Sequence, residues 1–233
     1  MRKTFKYRIY PNKVQQALLQ STFGCCRFVY NRMLDIKKTA YETDKTKLFK
    51  FDLIKQIPQL KNDFPWLRDV PAVCLPQAVG ALDDAFHGFF KSGNGYPKFK
   101  SKHRSRKSCR FPSSHCAVLQ DTSCLKLSKL GLVKYKKDRE FVGVLRSITV
   151  SQDSDGKYYA SCLVETGVEA PKPQPVEAST TVGIDLGLKD FIVTSDGCKV
   201  PNPRLYATID RHIARLQKHE SRKQKGSKRR ARI

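Results

Sequence analysis

Apolar and polar positions alternate from the start of the chain. Phe5, Tyr7 and Ile9 are set against Lys6, Arg8 and Tyr10, the period-two pattern of a β-strand over the first ten residues. Pro11 ends that strand. Asn12, followed three positions later by Gln15, has the spacing of a capping box that opens a helix. Val14, Leu18, Cys25, Phe28, Val29 and Ile36 then recur at helical spacing, and Gly24 is expected to bend the run into two helices. Further helical segments are predicted around residues 51–60 and 77–91. In the second, Val79, Leu82, Phe86 and Phe89 recur three or four apart and form one apolar face, which reads as core.

Strand-like patterning returns between residues 111 and 165, with strands predicted at 124–127, 132–136, 141–150 and 157–165 and a turn at Asp155-Gly156. Together with the first strand this suggests a small basic β-barrel or sheet (residues 1–10 and 111–165), interrupted by a helical insert over 11–110. Pro171, Pro173 and Pro175 mark a linker over 166–179. Beyond it, residues 181–186 read as a short apolar strand and 191–194 as a second. Asp196-Gly197 reads as a turn, Lys199-Val200 as the start of a third strand, and Leu205, Ile209, Ile213 and Leu216 as one face of a helix. The expected fold class is α+β and multi-domain.

Charge narrows the function. Against 45 Lys and Arg there are 21 Asp and Glu, a net +24, which points to a polyanionic partner. No apolar run approaches the ~20 residues that span a bilayer, and the basic N-terminus lacks the apolar stretch of a signal peptide. Nucleic acid is therefore the expected partner rather than a membrane surface, and the expected location is cytoplasmic, on the nucleoid. Two segments concentrate the charge. In the loop over 92–110, Lys98, Lys100, Lys102, Arg104, Arg106, Lys107 and Arg110 occur without an acidic residue, interleaved with Phe99 and His103. At the other end, Arg222, Lys223, Lys225, Lys228, Arg229 and Arg230 follow the last helix. A charge run can also be no more than a solvated face. The eight cysteines contain no C-x-x-C pair, so buried reduced thiols are expected and no zinc site.

One motif bears chemistry, Gly183-Ile-Asp-Leu-Gly187. A carboxylate at the end of a buried strand, flanked by glycines and followed by a hairpin, is how RNase H-like nucleases present their first metal ligand; Asp185 is the candidate. Alone the motif is weak. It also opens the ATPase fold of actin-like and Hsp70-like proteins, though there it lies near the N-terminus and a Thr-rich turn follows. An aspartate serving a structural turn has the same appearance.

Five stretches, in order along the whole chain, resemble the TnpB (OrfB) proteins, transposon-encoded RNA-guided nucleases related to type V CRISPR effectors. They are Tyr7-Arg-Ile-Tyr-Pro11; Phe23-Gly-Cys-Cys-Arg-Phe-Val-Tyr-Asn31; Gln77 to Phe90 with Gly95-Tyr-Pro-Lys-Phe-Lys100; Asp155-Gly-Lys-Tyr-Tyr159; and Gly183-Ile-Asp-Leu-Gly-Leu188 running to Pro203. The resemblance implies a wedge-like β-barrel, a helix-turn-helix-like recognition insert, and from about residue 180 the opening part of a RuvC-type RNase H-like domain. It also implies a guide RNA and a duplex DNA target as partners, and Mg²⁺ held by Asp185 as the first catalytic carboxylate. Family members continue with a catalytic Glu, a Cys₄ zinc ribbon and a last catalytic Asp. After Asp185 this sequence offers only Asp190, Asp196, Asp210 and Glu220. The expectation is a truncated chain, catalytically incomplete alone, with a C-terminal half missing. The alternative is a non-catalytic RNA- or DNA-binding module, such as a guided repressor.

Overall fold

The computed structural model describes residues 1–172, 176–177, 179–230 and 232. Pro173 and Pro175 of the expected linker lie outside the described residues. The chain divides into two compact units, Met1–Ala170 and Pro171–Ile233.

The first unit is a seven-stranded antiparallel sheet backed by helices. Strand β1 (Arg2–Tyr10) leads into α1 (Lys13–Asp44). Two short helices follow, α2 (Lys50–Lys55) and α3 (Ile57–Asp63), then α4 (Cys74–Ser92). The chain returns to strands with β2 (Lys107–Pro112), β3 (Cys116–Leu119), β4 (Cys124–Leu127), β5 (Gly131–Tyr135), β6 (Val144–Gln152) and β7 (Tyr158–Glu165). The sheet order is β2-β6-β7-β1-β5-β4-β3. Strand β1 therefore lies in the middle, paired along nearly its whole length with β7 and at its end with β5. The outer strands β2 and β3 are joined by only the three residues Ser113–His115, so the two edges of the sheet meet at one corner. No ladder closes them into a barrel among the described residues.

Local chemistry accounts for most of these boundaries. The Asn12 side chain accepts from the Gln15 N–H at 2.8 Å and the Gln15 side chain accepts from the Asn12 N–H at 3.0 Å, completing the capping box. The same Gln15 amide donates to the carbonyls of Leu130 and Leu132, tying the start of α1 to β5. Helix α1 then runs unbroken through Gly24, where a bend was expected. A helical glycine costs about 1 kcal/mol. Leu19, Phe23, Cys26, Val29 and Met33 are all buried around it, and each fully buried large apolar side chain is worth about 1.5–3 kcal/mol. Packing outweighs propensity. The expected helix over 51–60 is instead two, α2 and α3, with Pro58 in the first turn of α3.

Helices α1 and α4 pack on each other and both lie on β2. The core runs continuously through them into the sheet, including Tyr7, Ile9, Val79, Leu82, Phe86, Phe111, Leu125, Ile148 and Val164. Six cysteines are buried in this unit, Cys124 is half-buried and Cys198 in the second unit is exposed. At the start of β6, Gly143 has φ +137° and a Cβ there would lie 2.4 Å from the Glu165 carbonyl oxygen, so no side chain fits. The Asp155-Gly156 turn joins β6 to β7, with Gly156 at φ +80° and the Asp155 carboxylate accepting from the Lys157 N–H at 3.0 Å.

The second unit is a three-stranded antiparallel sheet, β8 (Ile184–Asp185), β9 (Asp190–Thr194) and β10 (Lys199–Pro201), followed by α5 (Leu205–Ser221).

Candidate nucleic-acid interface and carboxylate site

The basic run after α4 divides into two parts. Residues 93–106 form the loop, and Lys107 and Arg110 belong to β2, where alternation with the buried Cys109 and Phe111 aims Arg110 away from the core, while Lys107, half-buried, shares their face at the end of the strand. The loop is anchored to α1 by Asn31, whose carboxamide accepts from the Lys100 N–H at 2.8 Å and donates to the Lys100 carbonyl at 2.9 Å. Lys100 itself turns inward. Its ammonium lies 3.8 Å from the centroid of the Tyr30 ring, and burial lowers its pKa below the usual lysine value. A turn follows in which the Ser101 hydroxyl accepts from the Arg104 N–H and the Ser105 hydroxyl from the Ser101 N–H, both at 2.9 Å. That turn leaves Lys102 and Arg104 exposed.

Between this loop, α1, α4 and β2 lies a cavity of about 150 Å³, with Arg27, Lys100, Arg106, Lys107 and Arg110 on its wall beside Ser101, Ser105, Ser108 and Thr149. No carboxylate lines it. Beside it an open depression of about 740 Å³ is bordered by Lys102, Arg104, Arg106 and Lys107. Its one acid, Asp153, pairs with Lys6 at 3.4 Å. Arg106 and Lys107 donate to the Ser151 hydroxyl and the Gln152 side-chain amide oxygen, each at 3.2 Å. Among the described residues none of the seven bases from Lys98 to Arg110 has an ion-pair partner. Unpaired cations interleaved with hydroxyls, around a cavity without acids, suit phosphate oxygens. Arg27 and Asn31 were not singled out from sequence. Their spacing of four from Phe23 placed all three on one face of α1, but only the fold brings that face to the loop.

Replacing Asn31 with alanine leaves both Lys100 backbone groups without their partner. The expected result is a loss of about 1–3 kcal/mol of stability, read by denaturant unfolding, with faster amide exchange at Lys100. Unchanged exchange there would show that the loop holds without its anchor.

The second basic segment is less uniform. Arg222, Lys225, Lys228 and Arg229 are exposed, Lys223 is half-buried, and Arg230 is committed to Glu220 at 3.0 Å.

Asp185 closes β8, opposite Val193 of β9. The Gly183 N–H donates to the Ser195 hydroxyl at 3.0 Å and the Ser195 N–H to the Gly183 carbonyl at 2.8 Å, extending the hairpin by one step. A Cβ on Gly187 would come within 2.9 Å of the Asp190 carbonyl oxygen, so the turn after Asp185 needs glycine. The strand expected to be buried is exposed: Ile184 retains 64% of its surface and Leu186 71%. Asp196 is engaged by the Thr194 hydroxyl and the Cys198 N–H, which hold its carboxyl below the ordinary range, and Glu220 by Arg230. Among the described residues no three His, Cys, Asp or Glu side chains gather as a metal site. A pair of Mg²⁺ ions needs several carboxylate oxygens, so these residues alone do not fit a two-metal centre.

Two family profiles match the chain, an OrfB "Helix-turn-helix domain" over residues 1–46 and an OrfB "Probable transposase" over residues 161–233. The sequence is 31% identical over 232 residues to a "Putative RNA-guided DNA endonuclease" of Streptomyces pristinaespiralis, covering 97% of this chain and 56% of that protein. It is 30% identical over 227 residues to "Putative RNA-guided DNA endonuclease InsQ" of Escherichia coli (strain K12), covering 97% and 55%. The chain belongs to the OrfB (TnpB) family. It spans about half the length of these curated relatives. The residues under the helix-turn-helix profile form a strand and one continuous helix, with no turn inside the helix. A solved structure of a CRISPR-Cas12f ternary complex is similar at 14% identity and a TM-score of 0.36, over 94% of this chain and 55% of that one. Among the described residues no helix is long and apolar enough to cross a membrane.

Proposed function

We propose that this chain is the nucleic-acid-binding part and the first nuclease segment of a transposon-associated, RNA-guided DNA endonuclease, binding a guide RNA and a duplex DNA target on the nucleoid. The single observation that supports it most is the acid-free basic cavity of the first unit, whose cations have no ion-pair partners among the described residues. In this reading the rolled sheet acts as the family's wedge-like barrel and the helices over 11–110 as its recognition insert. The second unit is the opening of a RuvC-type sheet, with Asp185 as its first metal ligand. Divalent metal, when held by a full set of carboxylates, supplies charge neutralisation at the phosphate being cut. This chain's own contribution is one carboxylate on a glycine-flanked turn and, in the first unit, the cations that hold nucleic acid. Binding without cleavage is the reading favoured for these residues by themselves, because no three candidate metal ligands gather among the described residues.

The test is affinity against salt. On duplex DNA, log K falls with log salt by about 0.9 per phosphate neutralised. The triple variant Lys98→Ala, Lys102→Ala and Arg104→Ala removes exposed charges without touching Lys100, whose side chain packs on Tyr30. Its slope should be shallower by about 2–3 with an unchanged circular dichroism spectrum. A parent slope near zero, or a variant slope equal to the parent's, would overturn the assignment.

A further inference from the structure

A second surface of the first unit has a different chemistry. At the far end of α1 and α4, Phe86, Phe89, Phe90 and Tyr96 form one ring cluster. Phe86 and Phe90 lie 6.3 Å apart at 23°, and Tyr96 stands edge-on to Phe86 and Phe89, each at 5.5 Å. Tyr96 reaches this position because the chain turns back at Gly93, in the left-handed region, and the Asn94 N–H donates to the Gly88 carbonyl at 3.2 Å. Across from the cluster, the stretch after α1 brings up Phe49. The groove between them is about 740 Å³, within the roughly 300–1,000 Å³ of small-ligand clefts. Phe86 belongs to the core, but three other rings are not used by it: Phe90 keeps 75% of its surface, Phe49 66% and Tyr96 45%.

The rim is cationic. Lys37, Lys38, Lys45 and Lys47 line it, against the single acid Glu42. Lys38 pairs with Glu42 at 3.7 Å, Lys45 lies 5.0 Å from the centre of the Tyr41 ring, and Lys37 donates to the Leu48 carbonyl at 2.6 Å, bracing the wall that bears Phe49. An apolar helix of a protein partner would gain from the rings and nothing from the lysines. A nucleotide uses both, because each base has two π-faces and each linkage one negative charge.

We propose that this groove holds unpaired bases of a single-stranded nucleic acid, stacked on Phe49, Phe90 and Tyr96, with the rim lysines on the flanking phosphates. The inference rests on the reading of the chain as a nucleic-acid binder, but it assigns a separate site, for single strands rather than for duplex.

The experiment compares the full chain with the variant Phe49→Ala/Phe90→Ala, using fluorescence anisotropy with a short labelled oligouridylate and a labelled DNA duplex. Both rings are exposed, so circular dichroism should not change. Stacking loss should weaken single-strand binding by about 10- to 100-fold, while duplex binding stays within about twofold. Phe49→Tyr/Phe90→Tyr keeps both π-faces and should bind the oligouridylate like the parent. If the alanine variant binds the oligouridylate as the parent does, the groove is not a base platform, and a protein partner becomes its better occupant. An equal loss on both ligands would also overturn the proposal, since it would mean general charge or fold damage. A parent chain that binds neither ligand removes the nucleic-acid reading as a whole, whereas a parent that binds both while the alanine variant is unaffected removes only this site.

Discussion

Protein comprising these 233 residues, loaded with RNA and given a matched duplex in Mg²⁺ or Mn²⁺, is expected to bind the DNA and leave it uncut. In-line phosphodiester displacement needs two ions about 4 Å apart, clamping the attacking and leaving oxygens and supplying several kcal/mol of charge stabilisation. Here Asp196 and Glu220 already have partners, and no three candidate ligands converge among the described residues, around Asp185 or elsewhere. The net +24 further disfavours divalent cations away from clustered acids. An agarose nicking assay with Asp185→Ala alongside decides the point. Equal absence of product in both agrees with the expectation. Cleavage by the parent that vanishes in the variant would show that the ligand set is completed in some other way.

The largest effect on stability is expected at Phe111→Ala, a loss of about 3–5 kcal/mol by denaturant unfolding. Phe111 is fully buried in β2, opposite Ile148 of β6, on the edge strand beneath α1 and α4. Truncating it opens a void where helices and sheet meet, on the strand that presents Arg110 to the basic cavity. Arg110→Ala, one residue away and exposed, should move stability by no more than about 0.5 kcal/mol. If the two variants unfold at the same denaturant concentration, β2 is not the seam it is taken to be.

Strand β2 also shows where a sequence is hard to read. Lys107, Cys109 and Phe111 alternate with Ser108, Arg110 and Pro112, yet the bases on either side make the stretch look like a continuation of the loop. β3, only four residues long, is too short for its alternation to stand out between clearer strands. The legible features were those written in adjacent residues. Asn12 with Gln15, the Asp155-Gly156 turn and the strand over Cys124–Leu127 each depend on neighbours a few positions apart. Gly24 failed as a signal because its helix is held by side chains distant in sequence. Asp185 was found by its glycines, but the burial expected of its strand depends on a covering layer, about which the alternation of Val182, Ile184 and Leu186 says nothing. Likewise a row of bases identifies a loop, whereas the Asn31 anchor and the inward turn of Lys100 arise only from tertiary contacts.

The central position of β1 also sets an order of events during synthesis. Residues 2–9 leave the ribosome well before their partners on β7, residues 158–165, which follow about 150 positions later. At roughly 5–20 residues per second, the strand waits about 8–30 s for its ladder. During that time α1 and α4 can form and pair, while Phe5, Tyr7 and Ile9 remain an uncovered sticky edge. A pause or early stop in translation before residue 158 should therefore release chains with folded helices and a free β1, prone to capture by chaperones or by one another.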